Sequence, residues 1–279
     1  MSAVVVTHNS AGCITACLTA LTEEVKSVGG DVIVFDNKSD DTTVQEVRAK
    51  FPAVIIHQSG KNIGFGTANN EAAKMARGEY LLFANPDMII DRGALSRLVT
   101  VLGDKSDAGA AVARMRNPDD SFQPTCRRLP TMRNIFFSRG SLLALRKTPI
   151  ASRERYTLGD YGEVTEVPAA AATCMLIERD FFQWIGGFDG RFFLFMEDTD
   201  LCLRIGQVGR KVYFVPGAGA VHLWGKGTST SSLKRCWYHH ISVWKYFLKH
   251  YPNGFSLFLL PAVLLLNFLI GSLLGLGWK

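Results

Sequence analysis

The chain has 279 residues, 47% of them hydrophobic and 20% charged, with a formal net charge of +6. That length and balance exclude a disordered chain and allow one well-buried domain. The modest positive charge fits an anionic partner such as a phosphate or a lipid headgroup, and no recognised nucleic-acid motif accompanies it.

Up to Arg116, short β-rich runs alternate with helical patterns. The runs are Ala3–Thr7, Asp31–Asp36, Val54–Gln58, Tyr80–Asn85 and Ala108–Arg114; Cys13–Val28, Thr42–Phe51, Gly66–Arg77 and Gly93–Leu102 read as helices. This spacing predicts an α/β fold with a mostly parallel central sheet and helices on both faces. Ligands of such sheets bind beyond the carboxyl ends of the strands, which directs attention to Thr7, His8 and Asn9, to Asp36 and Asn37, and to Asn85 and Asp87. Asp36 ends an apolar strand, where its carboxylate can accept from a base N–H or a ribose hydroxyl. Asp87 arrives at the same edge and suits a divalent metal on a nucleotide diphosphate. Each acid also has a plain reading as a turn residue. Asn62-Ile63-Gly64 precedes the third helix and is either an anion-facing turn or an ordinary helix start. The absence of G-x-G-x-x-G after the first strand, and of a P-loop motif, argues against dinucleotide oxidoreductases and P-loop enzymes.

After Arg116 the alternation fades. Asn117–Arg155 is basic and proline-containing, and reads as a long loop or a mobile lid. Between Arg114 and Arg155 there are ten Arg or Lys against three acids, which makes either a solvated face or an anion site. Strands are expected at Ala170–Glu178 and Val212–Val215, and helices near Arg179–Ile185 and Asp198–Gly206. Glu197, Asp198 and Asp200 follow a glycine- and aromatic-rich run; a helix start explains some of them, and a general base explains the apolar walls. His222 closes a further strand candidate and is a metal ligand only if the fold carries it to Asp87.

The six cysteines form no C-x-x-C pair and suit a reduced, cytosolic body. No signal peptide is read at the N-terminus. From Phe255 to Trp278 there is no charge, and Lys234, Arg235, Lys245 and Lys249 alternate with aromatics just before it. That pattern predicts membrane contact, by a spanning helix or one lying in the surface.

Taken in order, Thr7-His8-Asn9-Ser10, Asp36-Asn37-Lys38-Ser39, Asn62-x-Gly64-Phe65-Gly66, Asn85-Pro86-Asp87 and Gly187-Phe188-Asp189 with Glu197-Asp198-x-Asp200 resemble a family 2 glycosyltransferase, and more narrowly the bacterial rhamnosyltransferase-like branch. The resemblance runs from about Val4 to Trp224. It implies a GT-A (Rossmann-like) fold, an inverting mechanism and a divalent metal, Mn²⁺ or Mg²⁺. It further implies residues 1–115 as the nucleotide-sugar half, 116–232 as the acceptor and catalytic half of the same domain, and 233–279 as an interfacial helix with an apolar membrane segment.

By the same resemblance Thr7, His8, Asn9, Asp36, Asn37, Asn62, Gly64, Asn85 and Asp87 face the donor. Asp87 and His222 hold the metal, with Asn85 standing where the family's motif has its first acid. Asp198 is the base and Glu197 supports it. Arg127, Arg128 and Asp200 are assigned to the acceptor or a diphosphate. The implied partners are a nucleotide sugar, best matched by dTDP-L-rhamnose, and a polyprenyl-diphosphate-linked glycan at the cytoplasmic face of a bacterial plasma membrane. A galactosyl or galactofuranosyl transferase, or a non-catalytic binding module, are the competing readings.

Overall fold

The apolar runs of the sequence become the centre of one nine-stranded sheet in the computed structural model, which describes residues 1–131, 157–223, 225, 227 and 230–273. The strands β1 (Ser2–Thr7), β2 (Asp31–Asp36), β3 (Ile55–Gln58) and β4 (Tyr80–Ala84) alternate with α1 (Ile14–Ser27), α2 (Thr43–Lys50) and α3 (Phe65–Met75). A short β5 (Met88–Ile90), α4 (Ala94–Asp104) and β6 (Ala108–Arg116) complete the first half. All of β1 is buried, and β2 from Val32 onward, because helices cover both faces.

The second half contributes β7 (Cys126–Arg127), β8 (Thr165–Val167), β9 (Ala169–Ala170), β10 (Cys174–Glu178), α5 (Arg179–Trp184), α6 (Glu197–Gln207) and β11 (Lys211–His222). The order across the sheet is β3-β2-β1-β4-β10-β6-β11-β5, with β8 also beside β11. β10 lies antiparallel to both β4 and β6, so these two run the same way, and β11 is parallel to β6. Six of the nine strands therefore share one direction, and only β5, β8 and β10 oppose it.

Two apolar layers hold the helices on. On one face Ile14, Leu18, Leu21 and Val25 of α1 pack with Leu95 and Leu98 of α4. Their helical spacing is what puts them on one stripe. On the other face Ala68 and Ala72 of α3 pack with Phe182 of α5 and with Leu201 and Ile205 of α6.

Three expectations change. The strand expected at Val212–Val215 and the separate candidate ending at His222 are one strand, β11, whose register shifts between Val215 and Gly219. Pro216 interrupts the pattern there, and the bulge absorbs it. The helix expected from Asp198 starts at Glu197. The stretch after Arg116 is not a free lid over its described part: Arg116 bridges to Phe122 and β7 pairs with β9. The rest of that expected lid, from residue 132 onward, lies outside the described residues up to 156.

A third apolar cluster joins the C-terminal region to the body. The helix α7 (Ser232–His250) brings Val243, Tyr246 and Phe247 against Phe192 and Met196, with Leu260 and Leu264 of α8 (Leu260–Leu273) completing it. A π-helical turn, Phe255–Leu259, leads into α8. Together they make one uncharged 19-residue helical stretch, Phe255–Leu273, by length and composition enough to cross a membrane. At 1.5 Å per residue it is about 28 Å long. Phe258, Leu266 and Leu273 on it are exposed. Of the basic residues expected beside the membrane, Lys245 and Lys249 also bond to the protein itself, Lys245 to the Arg191 carbonyl and Lys249 to Asp189 and Asp200.

Candidate active site

The carboxyl ends of the parallel strands gather the donor-side residues into one bonded surface. At the end of β1, Thr7 donates from Oγ1 to Asp36 Oδ1 at 3.0 Å. Ser39 donates to the same oxygen at 2.5 Å and, from its backbone, to Asp36 Oδ2 at 3.0 Å. Asn9, in the left-handed region with φ 56°, accepts from the Asp40 amide and donates from its own to Ser39 Oγ. His8 Nδ1 is buried with no hydrogen-bond partner among the described residues.

Beyond β2, Asn37 Oδ1 accepts from the Ile63 amide at 2.8 Å while its Nδ2 donates to Asn62 Oδ1 at 2.9 Å. Asn62 Oδ1 also accepts from the Gly64 amide at 3.0 Å. Gly64 has φ +86°, and a Cβ there would meet the Phe193 carbonyl oxygen at 2.6 Å. Only glycine satisfies both conditions. The close approach lets Phe65 N–H donate to that carbonyl at 2.9 Å, which fastens the donor-side turn to the segment before α6.

Asp87 and His222 do come together, across 135 positions of sequence. Pairing of β11 with β5 sets His222 opposite Met88, beside Asp87. Nε2 of His222 lies 3.1 Å from Asp87 Oδ1, the Gly227 amide donates to Oδ2 at 3.0 Å, and both side chains are buried. Burial pushes the Asp87 carboxyl upward, and the His222 and Gly227 contacts outweigh it, holding the pKa below the usual value. Gly227 O in turn accepts from Ser10 Oγ, which ties this centre to the β1 loop.

A residue not singled out in the sequence sets the chemistry of this pair. Gln123, buried, donates from Nε2 to Asn117 Oδ1 at 2.7 Å, which turns its Oε1 toward His222 Nδ1 at 2.6 Å. An amide oxygen only accepts, so Nδ1 carries the hydrogen. The approach of Nε2 to a carboxylate oxygen then requires either a proton on Nε2 or a cation shared by both. Two adjacent ligands of an octahedral ion at about 2.1 Å stand about 3 Å apart, so the pair fits a divalent cation. No group of three or more His, Cys, Asp and Glu is assembled for a metal among the described residues. Further ligands would come from donor phosphates, as is usual for Mg²⁺ bound with nucleotides. The half-buried Asn85 is anchored by its backbone, its N–H donating to the Thr173 carbonyl at 3.0 Å.

The acids of α6 separate by role. Three of them fall in its first turn, the favourable end of the helix dipole. Asp198 Oδ1 accepts from the Thr199 amide and hydroxyl, and Oδ2 accepts from Arg127 Nη2 at 2.7 Å. Glu197 is 5% exposed and its Oε2 has no hydrogen-bond partner among the described residues. Burial, then repulsion from Asp198, raises its pKa well above the ordinary range. The beta carbon of Glu197 sits 3.4 Å from where a Cβ on Gly66 would be, at the start of α3, which sets the pair at the same edge as the donor residues.

Asp200 does not belong to the acceptor surface that the sequence suggested. It is fully buried and satisfied by Arg204 at 2.8 Å, Lys249 at 2.5 Å and His250 at 2.7 Å. Arg128, just after β7, is exposed.

With this geometry in place, comparison with known proteins is informative. The sequence profile described as Glycosyl transferase family 2 matches residues 2–184. The chain belongs to this family. It is 30% identical over 245 residues to the N-acetylglucosaminyl-diphospho-decaprenol L-rhamnosyltransferase of Mycobacterium tuberculosis, covering 82% of this chain and 76% of that one. Rhamnosyltransferase WbbL of Escherichia coli is 29% identical, with 68% of this chain and 72% of its own covered. Among solved structures, GalNAc-T7 with UDP, GalNAc and Mn²⁺ superposes with a TM-score of 0.63 at 17% identity, over 87% of this chain and 46% of that one. The mannosyltransferase PcManGT from Pyrobaculum calidifontis, with GDP-Man and Mn²⁺, gives 0.60 at 16% identity, over 97% and 74%. The fold is GT-A, and the protein is a glycosyltransferase of the rhamnosyltransferase-like branch.

Proposed function

We propose that this family 2 enzyme moves L-rhamnose from dTDP-L-rhamnose to a hydroxyl of a polyprenyl-diphosphate-linked glycan, with inversion and with a divalent metal, at the cytoplasmic face of a bacterial plasma membrane during cell-envelope polysaccharide synthesis. The observation that carries the reading is that Asp87–His222 and Glu197–Asp198 are each assembled from distant segments and are linked through Gln123 and Arg127, four residues apart. The names of the mycobacterial and Escherichia coli relatives support the sugar, the mycobacterial one supports a lipid-diphosphate acceptor, and the apolar Phe255–Leu273 stretch suits an enzyme that shares a membrane with it.

Asp36, fixed by Thr7 and Ser39, accepts from the nucleoside, while Asn37, Asn62 and Gly64 shape the floor beneath the donor. Asp87 and His222 would hold Mn²⁺ or Mg²⁺; bound there, the ion supplies positive charge against the departing diphosphate. Asp198 takes the proton of the acceptor hydroxyl as its oxygen attacks the anomeric carbon from the side opposite the leaving group. One displacement inverts the configuration. Glu197, its pKa raised by burial and by Asp198, orients the acceptor, as a hydrogen-bond donor where it is protonated. Arg127 or Arg128 takes a diphosphate, of the donor or of the acceptor.

Asp198→Asn is expected to lower kcat about 10²–10⁴-fold, the usual contribution of a general base, while the donor still binds. Turnover with dTDP-L-rhamnose and a synthetic lipid-diphosphate acceptor measures the first, and thermal shift with a panel of nucleotide sugars the second. Near-normal turnover removes Asp198 as the base; stabilisation by UDP-galactose alone replaces rhamnose with galactose.

A further inference from the structure

The turn that delivers Glu197 and Asp198 is strained. Phe195 and Met196, immediately before them, have φ of 68° and 69°. Two successive non-glycine residues in the left-handed region persist only where surrounding contacts over-determine them. One of those contacts is the Phe65 N–H on the Phe193 carbonyl, and several more come from the C-terminal helix α7. Ser242 Oγ donates to the Leu194 carbonyl at 2.8 Å, Lys245 Nζ to the Arg191 carbonyl at 2.8 Å, and Lys249 Nζ to Asp189 at 2.7 Å and Asp200 at 2.5 Å. These three residues are spaced by three and four, so they form one face of the helix.

Ring contacts extend the same grip. Phe193 lies 4.7 Å from Tyr238, and Phe195 lies 5.8 Å edge-on to His239. Met196 is buried among Val243, Tyr246 and Phe247. His239 also borders the catalytic side: burial, then His240 and then Arg127, the partner of Asp198, lower its pKa to about 3. The helix is tied in turn to the apolar stretch. Trp244 Nε1 donates to the Ser256 carbonyl at 3.0 Å, and Asn267 Nδ2 stands 3.0 Å from His240 Nε2.

We propose that α7 is a positioning element of the transfer reaction, with Ser242, Lys245 and Lys249 holding the segment from Asp189 to Met196 so that Glu197 and Asp198 meet the acceptor in register. The proposal rests on the reading of Glu197 and Asp198 as the reacting carboxyls. It assigns to a catalytic brace two lysines whose sequence context points to a lipid surface. Two of the four bonds end on backbone carbonyls, so they fix the path of the chain and not any one side chain of the turn. None of the α7 bonds ends on the donor-side residues of β1, β2 and α3, which meet the held segment through the Phe65 N–H on the Phe193 carbonyl, so donor binding should change less than turnover.

The full-length enzyme in nanodiscs tests it. The double variant Ser242→Ala/Lys245→Met leaves the buried Asp200–Lys249 pair intact, so it is expected to fold. It should lower kcat about tenfold or more, since a misplacement near 1 Å costs up to about 10²-fold, with donor KM within about twofold. Ser242→Thr, which keeps the hydroxyl, should restore most of the rate lost in Ser242→Ala. Placed on Asp198→Asn, the double variant should cost little more, because both act through one carboxylate. An unchanged kcat in the folded double variant overturns the brace alone. So does a full additional loss on the Asp198→Asn background, measured with radiolabelled donor. Normal turnover of Asp198→Asn by itself overturns the base assignment, and the positioning role falls with it.

Discussion

Gln123 touches neither substrate nor cation in the proposed mechanism, yet its removal should be felt in metal affinity. In the native arrangement its Oε1 accepts from His222 Nδ1 at 2.6 Å, leaving Nε2 to face Asp87 Oδ1 at 3.1 Å. Gln123→Leu keeps the volume and deletes the acceptor. A buried Nδ1–H without a partner costs about 1–3 kcal/mol. The ring escapes that cost by moving its hydrogen to Nε2, where it donates to the Asp87 carboxylate. A hydrogen bond to a charged group is worth about 1.5–3 kcal/mol, and a cation must now displace it to bind. At about 1.4 kcal/mol per decade, the Mn²⁺ dissociation constant should rise about 10–100-fold, the range seen when partners behind metal-binding histidines are lost. Free Mn²⁺ followed by electron paramagnetic resonance, titrated with dTDP present, reads it directly and without turnover. Gln123→Glu, which retains the acceptor and adds charge, should bind at least as tightly as the native enzyme. Native affinity in Gln123→Leu refutes both the tautomer assignment and the metal role of the Asp87–His222 pair.

The other acids give pH and stability outcomes. Glu197 has its pKa raised from 4.5 by burial and by Asp198, so above pH 4.5 the unfolded chain releases a proton that the folded chain retains. Its favourable contribution is complete below pH 4.5 and is lost as the pH rises through the folded value. Glu197→Gln should therefore match the native protein in urea melts at pH 4.5 and become progressively more stable than it at higher pH; a difference that stays flat with pH contradicts the buried, protonated state. Asp200→Asn should lose about 3 kcal/mol, the low end for breaking a buried ion pair, because its partners Arg204 and Lys249 keep 16% and 17% side-chain exposure. Intact stability with a raised acceptor KM would instead return Asp200 to the acceptor surface.

What the sequence made legible was whatever its local pattern determined. β1, β2 and β4 are continuous apolar runs ending in polar residues, and both their existence and the side on which Asp36 and Asp87 emerge follow from that. β5 is three residues long and follows Pro86-Asp87, so no period marks it. Yet that short strand, by pairing with β11, makes Asp87 and His222 neighbours. Gln123 carried no signal, because a neutral amide in a polar stretch looks the same whether it is buried or solvated. Asp200 misled for a geometric reason. It lies two residues from Asp198, but each helical residue turns the chain by about 100°, so their side chains leave α6 on nearly opposite sides. One meets Arg127 and the other Lys249 and His250.

The stretch after β6 shows how the two acidic centres are kept in step. Gln123 holds the histidine of one centre and Arg127 holds the carboxylate of the other, four residues along the same chain. Four residues reach at most about 14 Å when extended, so neither centre can drift away from the other without breaking a contact. Nor can the strap itself slide. The Gln123 amide donates to the Met115 carbonyl at 3.0 Å, the Thr125 carbonyl accepts from Ala171 at 3.0 Å, and Cys126 and Arg127 are in register with Ala170 and Ala169. Over its described part, up to Thr131, the stretch whose composition resembles a solvated lid serves as a tie. Its backbone is anchored to β6 of the main sheet on one side and to the small β7–β9 pair on the other, and the side chains of Gln123 and Arg127 reach across. In the proposed mechanism the donor centre is set by the sheet and the turn before α6 by α7, and this strap limits the distance between them.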